Sequence, residues 1–257
     1  MKNLKPDKFL RDLFDRAVSA ADPRNTIGPF LPSPPTGRTL VLSAGKAAAS
    51  MAFSVETHWH GDIYGLAVTR YGHSFDCKRI EVIEAGHPLP DEVGRVATQR
   101  FLSLANELTE DDLLLFLISG GASALLVEPA DRLDFEDKRV ITNALLKSGA
   151  PINEINCLRK HLSAVKGGRL AAAAYPAQVI TLAISDVPGD DPSVIGSGPT
   201  VGDPTTCLDA LRVVDKFRIN LPHHARAALI EGKWESLDPS DQTLTKTTFE
   251  LIACPAD

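Results

Sequence analysis

The chain has 257 residues, enough for one large domain or two small ones, and its 44% hydrophobic and 23% charged residues give an ordinary globular balance. The formal net charge is −6 and no block of like charge stands out, which argues against a broad nucleic-acid or lipid-binding surface. The four cysteines, Cys77, Cys157, Cys207 and Cys254, form no CxxC pair, so reduced cytosolic thiols and a cytoplasmic setting are expected rather than a zinc site.

The N-terminus mixes charge with apolar residues and lacks the apolar stretch of a signal peptide. Phe9, Leu10, Leu13, Phe14 and Val18 recur at helical spacing, which predicts an amphipathic helix over 7–20. A Pro-rich loop follows at 29–35. Thr39 to Ser43 predicts a strand, Lys46 to Thr57 a helix, and Ile63 to Thr69 and Ile80 to Glu84 two further strands. Asp91 to Leu108 predicts a helix with Asp91 as its N-cap. Leu113 to Ile118 is an apolar run without alternation, too short to cross a bilayer and suited to a strand buried on both faces. Helices are expected over 134–147 and from Pro151 to about Val165, a buried strand over 179–184, helices over 205–216 and 222–232, and a strand over 249–253. Strands alternating with helices predict a three-layer α/β domain with a mainly parallel sheet.

In such sheets ligands gather at the carboxyl ends of strands. Three of these ends are polar and Gly-rich. After the first strand, Gly45 permits a sharp turn and Lys46 stands where the next helix begins, so Lys46 and the free N–H groups there would attract an anion. A surface lysine beside a tight turn is the plainer alternative. After Leu113–Ile118 comes Ser119-Gly120-Gly121, with Ser123 close behind; glycines let a phosphate approach the backbone, and the serines add hydroxyls. An ordinary strand–helix turn would look the same, and GxxxxGK[ST] occurs nowhere.

The third end, from Ser185 to Asp203, holds Asp186, Asp190, Asp191 and Asp203 in a long loop stiffened by three prolines. Clustered carboxylates suit Mg²⁺, and Gly196-Ser197-Gly198 can wrap a phosphate; a solvated acidic loop is the alternative. In the helix predicted from Pro151, Arg159, Ser163 and Lys166 share a stripe beside an apolar face, with Lys160 off it, and either line a cleft or snorkel at a core edge. His87, at another strand end, either donates to an anion or simply belongs to a Gly-His-Pro turn.

Together, GKAAASMA at 45–52, EAGHPLPD at 84–91, SGGASALL at 119–126, INCLRKHLSAVKGGRLA at 155–171 and SDVPGDDPSVIGSGPT at 185–200 resemble the glycerate 2-kinase family, whose members are often labelled hydroxypyruvate reductase. The resemblance implies a Rossmann-like first domain over 1–257, followed in the family by a smaller α/β C-terminal domain that this sequence does not contain. It implies ATP, Mg²⁺ and D-glycerate as ligands, 2-phosphoglycerate as product, and Lys46 as the active-site lysine.

On that basis Lys46 and Asp186 are the expected catalytic residues and Gly45 and His87 the substrate contacts. Ser119, Gly120, Gly121, Ser123, Arg159, Lys160, Lys166, Gly196, Ser197 and Gly198 are expected to hold nucleotide phosphates, and Asp186, Asp190 and Asp191 the metal. The partner expected is a small hydroxy acid, with no nucleic acid and no membrane, and a homodimer left open. The competing readings are an NAD(P)H-dependent hydroxypyruvate reductase, for which the chain lacks a well-formed GxGxxG turn, and a nucleotide-binding domain without turnover.

Overall fold

Continuous apolar strands need cover on both faces, and the chain supplies it by alternating strands with helices. The computed structural model describes residues 5–254. In chain order the elements are α1 (Pro6–Ala20), α2 (Pro23–Thr26), β1 (Thr39–Ala44), α3 (Ala48–His58), β2 (Tyr64–Arg70), β3 (Ile80–Ala85), α4 (Glu92–Asn106), β4 (Leu113–Ser119), α5 (Ala122–Leu125), α6 (Phe135–Lys147), α7 (Ile152–His161), α8 (Arg169–Ala174), β5 (Gln178–Ile184), α9 (Cys207–Lys216), α10 (His223–Ile230) and β6 (Thr247–Ala253). The strands form one six-stranded sheet in the order β3-β2-β1-β4-β5-β6, and every pairing is parallel. This is the doubly wound order of dinucleotide-binding folds, in which the winding reverses between β1 and β4.

The period-2 alternation of side chains divides the core in two. Leu40, Leu42, Leu114 and Phe116 point to the face covered by Phe101 of α4 and Leu170 of α8. Val41, Leu113, Leu115 and Leu117 point to the other, covered by Met51 and Val55 of α3. A third apolar cluster lies among α6, α7, α9 and α10, where Leu145, Leu158, Val214 and Leu229 pack with Trp234. Sequence pattern located its helices without showing that they share a core apart from the sheet. The expected N-terminal helix forms, but Phe9, Leu10, Leu13, Phe14 and Val18 all remain exposed on it.

The helix expected to run from Pro151 to about Val165 ends at His161. Beyond Leu162 the chain turns away, Ser163 bridges to Pro129, and the Ala164 N–H donates to the Glu128 carbonyl. Ser163 and Lys166 therefore do not extend the Arg159 stripe. The short helix α8, alanine-rich, had no predicted counterpart.

Asp112 aligns the starts of the two central strands. Its Oδ1 accepts the Arg38 N–H at 2.6 Å, and its Oδ2 accepts the Thr109 N–H at 2.8 Å and the Arg38 guanidinium at 2.9 Å. Burial pushes this carboxyl's pKa up, but the Arg38 guanidinium and the two N–H groups outweigh that and hold it far below the usual carboxylate range. Asp112→Ala is expected to cost roughly 3 kcal/mol by loss of these charge-assisted bonds. Because the folded pKa is depressed, the contribution is complete above the unfolded value near about 4 and is lost as pH falls towards the folded one. Denaturation of wild type and variant at pH 7 and pH 2.5 checks both parts: the gap should be wide at the first and clearly narrower at the second.

Candidate active site

Parallel register brings three loops side by side at the switch point. Ala44 of β1 lies opposite Ile118 of β4, and Ser119 lies opposite Ile184 of β5, so the segments that follow leave the sheet at one level. The first two loops touch closely. Gly45 has φ +131°, and a Cβ there would lie 2.2 Å from Ser119 Oγ and 2.5 Å from its carbonyl oxygen. Only glycine fits at that contact. Gly45 is thus required for the close packing of the two loops.

Hydrogen bonds then fix the turn that carries Lys46. Its N–H donates to the Gly120 carbonyl at 2.8 Å, the Ala47 N–H donates to Ser119 Oγ at 3.0 Å, and the Ala48 N–H donates to the Gly45 carbonyl at 3.1 Å. The helix begins only at Ala48. These three N–H groups are occupied, so they are not the free donors expected around Lys46. Ser119 is 2% exposed, and its hydroxyl oxygen supports the Lys46 turn. The side chain of Lys46 is left to reach outward, and its Nζ lies 3.1 Å from Asp186 Oδ2, with the two side chains 43% and 54% exposed. A pair this exposed is weak, worth about 0–1 kcal/mol. An arriving anion can compete for the ammonium at little energetic loss.

The two glycines of the second loop admit side chains. A Cβ on Gly120 would lie 2.0 Å from Asp186 Oδ2. One on Gly121, which has φ +89°, would lie 2.9 Å from His87 Nε2 and 3.2 Å from Lys46 Cγ. Lys46, His87 and Asp186 thus close around a backbone with no side chains of its own. A cleft of about 200 Å³ opens here, lined among others by His87, Gly120, Gly121, Ser123, Asn156, Arg159, Asp186 and Gly196. Burial, then the Lys46 and Arg70 charges, push the His87 pKa down against the pull of Asp186, so the imidazole is neutral at neutral pH. Arg159 forms no ion pair among the described residues, and burial lowers its pKa.

A hydroxyl relay builds the far wall. The Ser123 and Ser197 hydroxyls are 2.8 Å apart, and Ser197 donates to Asn156 Oδ1 at 3.1 Å. Gly196 and Gly198 have φ of +59° and +57°; a Cβ on Gly196 would meet Ile118 Cδ1 at 2.3 Å, and the Gly198 carbonyl accepts the Gly168 N–H. This Gly-Ser-Gly segment folds inward as packing, and of its three residues Gly196 lines the cleft. Sequence reasoning missed Asn156. The available signal was its place three residues before Arg159, on the same face of α7.

Two expected phosphate ligands lie elsewhere. Lys160 is buried, with its Nζ 3.0 Å from Asp203 Oδ1, and Asp203 also accepts from Ser236 and Thr205 hydroxyls. Lys166 is 1% exposed and donates to the Leu126 carbonyl. Neither faces the open cleft, because burial in an apolar wall demanded an internal partner for each ammonium.

The acidic loop does not converge into a carboxylate cage. Asp191 Oδ1 caps the Ser193 N–H at 2.8 Å, and Asp190, with φ +51°, buries an Oδ1 that has no partner. Among the described residues the one His/Cys/carboxylate trio spaced for a metal is His161, Cys207 and Glu235, which includes neither. Mg²⁺ requires only one or two carboxylates beside phosphate oxygens and water, and the half-exposed Asp186 fits that requirement.

The profile of a domain of unknown function, DUF4147, matches residues 9–230. An Agrobacterium vitis protein provisionally named a hydroxypyruvate reductase is 52% identical over 226 residues, which cover 88% of this chain and 52% of the relative. The D-glycerate 2-kinase of Thermotoga maritima is 41% identical over 226 residues, covering 87% of this chain and 54% of that one. The solved glycerate kinase from Thermotoga maritima superposes with a TM-score of 0.84 at 38% identity, over 96% of this chain and 58% of that chain. The chain spans about half the length of the curated relatives it matches. No described helix is long and apolar enough to cross a membrane. With sequence and overall fold in agreement, the chain belongs to the DUF4147 family and is a homologue of the glycerate 2-kinases.

Proposed function

We propose that the chain carries the phosphoryl-transfer wall of an ATP-dependent kinase that converts D-glycerate to 2-phosphoglycerate in the cytoplasm. The observation that supports this best is the Lys46–Asp186 pair, 3.1 Å apart over the Gly120–Gly121 backbone at the switch point. Phosphoryl transfer needs positioned charge more than covalent chemistry. Lys46 draws the transferring phosphoryl group and neutralises charge that develops on it. Asp186, released from Lys46, accepts the proton of the attacking hydroxyl or holds Mg²⁺ together with phosphate oxygens. A bound Mg²⁺ would supply charge neutralisation on the phosphates. Neutral His87 donates to or accepts from the hydroxy acid without adding charge, and Arg159 faces the cleft as a fixed cation.

Gly196 and Ser197 sit in a 3-10 turn over Ile195–Ser197 that Gly198 caps, well after β5, and this is not a strand–helix dinucleotide turn. The expected outcome of a coupled assay is therefore ADP formation dependent on D-glycerate and Mg²⁺, with no NADH or NADPH oxidation on hydroxypyruvate. Oxidation of either nicotinamide without ADP formation would reverse the assignment. Tight Mg-ATP binding without turnover would reduce it to a nucleotide-binding domain.

A further inference from the structure

Lys138 and Lys166 are 5% and 1% exposed, yet neither meets a carboxylate among the described residues. Each donates to a carbonyl at a helix end, Lys138 to Leu162 and Lys166 to Leu126. That uses one of three donors on each ammonium and neutralises no charge. Arg159, which has no ion pair either, adds a third cation. Glu128 is the carboxylate that acts on Lys138, but it is shared with Arg95 at 3.9 Å and with Gln99, while Arg169 adds further positive charge. Buried ammonium groups with so little compensation give up their protons readily, and an anion close by would restore their charge.

The geometry shows where that anion would sit. Arg159 and Ser123 line both the cleft and a small enclosed space behind it, which Lys138, Thr142 and Lys166 also line. The enclosed space is about 10 Å³, room for roughly one water. A polyatomic anion must stay on the cleft side, against the Arg159 fork and the Ser123 hydroxyl, with the two lysines acting through space as positioning charges.

We propose that Arg159, backed by Lys138 and Lys166, forms an oxyanion subsite on the inner wall of the cleft that takes a phosphoryl group. The class follows from the charge and the shape. One guanidinium and two lysines that can each take up a proton suit a dianion better than a monoanionic carboxylate, and a guanidinium matches phosphate oxygens in pairs. The inference rests on the kinase reading for the source of the phosphoryl group, which is either a nucleotide phosphate or the phosphate of the phosphorylated hydroxy acid.

Protonation supplies an independent readout. Burial, then Arg159 and Arg169, push the Lys138 pKa down to about 7 against Glu128, and burial with Lys138 and Arg159 pushes Lys166 well below its ordinary value. A bound dianion raises both, so binding takes up protons near neutral pH.

The test is calorimetric titration of the chain with inorganic phosphate, ADP and 2-phosphoglycerate at pH 7.5, in two buffers of different ionisation enthalpy. Wild type should bind phosphate with proton uptake. Arg159→Gln, which gives up no hydrogen bond to protein, should weaken phosphate by about tenfold or more. Lys138→Met should lower the uptake. If only ADP weakens among the two larger ligands, the subsite holds a nucleotide phosphate; if only 2-phosphoglycerate weakens, it holds the product phosphate. Unchanged phosphate affinity in Arg159→Gln, or binding without proton uptake in wild type, overturns the proposal. Should Lys138→Met fail to fold, those two measurements still decide it. Phosphate binding with proton uptake in a protein that shows no kinase turnover would sink the kinase reading and leave the subsite standing.

Discussion

Lys46→Ala is expected to lower D-glycerate-dependent ADP formation by about 10²–10³-fold, the loss typical of removing one preorganised charge-stabilising donor. The fold should hardly notice. The backbone of Lys46 is fixed by its N–H on the Gly120 carbonyl, a bond the substitution keeps, and the Asp186 pair it loses is half-exposed. Such pairs contribute at most about 1 kcal/mol, so the melting temperature should move by no more than about 2–4 °C. A coupled assay beside a thermal melt, on the smallest form of the protein that turns over, separates these effects. Lys46→Arg is the useful companion, since it keeps the charge but changes its shape, and should fall between the two in turnover. Turnover of Lys46→Ala within about twofold of wild type would remove the lysine from the mechanism.

Lys160→Ala should act in the opposite way, through stability. The substitution leaves Asp203 buried with hydroxyl and N–H donors but no cation. Breaking a buried pair from one side costs about 3–5 kcal/mol, which for a chain of this size corresponds to a fall of roughly 10 °C or more in melting temperature. The double substitution Lys160→Met with Asp203→Leu should recover much of that loss, because it removes both charges and keeps apolar volume. Thermal melts of the singles and the double complete the cycle. A phosphate-binding Lys160 would show the reverse pattern: weaker nucleotide binding with little change in melting.

Much of the scaffold was legible from local pattern. Leu113–Ile118 and Val179–Ile184 announced themselves as buried strands because a strand covered on both faces has no polar alternation to maintain. Asp91 caps α4 through Oδ1 on the Gly94 N–H, as its position before an apolar periodic run implied. The Gly-rich strand ends did mark the cleft. The role of each glycine did not follow, since Gly45 and Gly120 are required by contacts with Ser119 and Asp186, residues distant in sequence.

Helical spacing failed at Lys166 for a similar reason. The pattern of apolar residues ran on to Val165, but Val165 belongs to the sheet core and Leu158 to the helical cluster, so the chain has to turn between them. Periodicity records which residues avoid water and says nothing of which core they enter.

Sequence alone thus determined the strands and most of the longer helices, and that Lys46, Ser119–Gly121 and Asp186 follow strands. These depend on neighbours within one turn or one strand. Strand order, the switch point between β1 and β4, the occupied N–H groups at Lys46 and the buried partners of Lys160 and Lys166 were decided by tertiary structure. Most of these depend on pairings between segments well separated in sequence, where contact geometry rather than local propensity sets the lowest free energy.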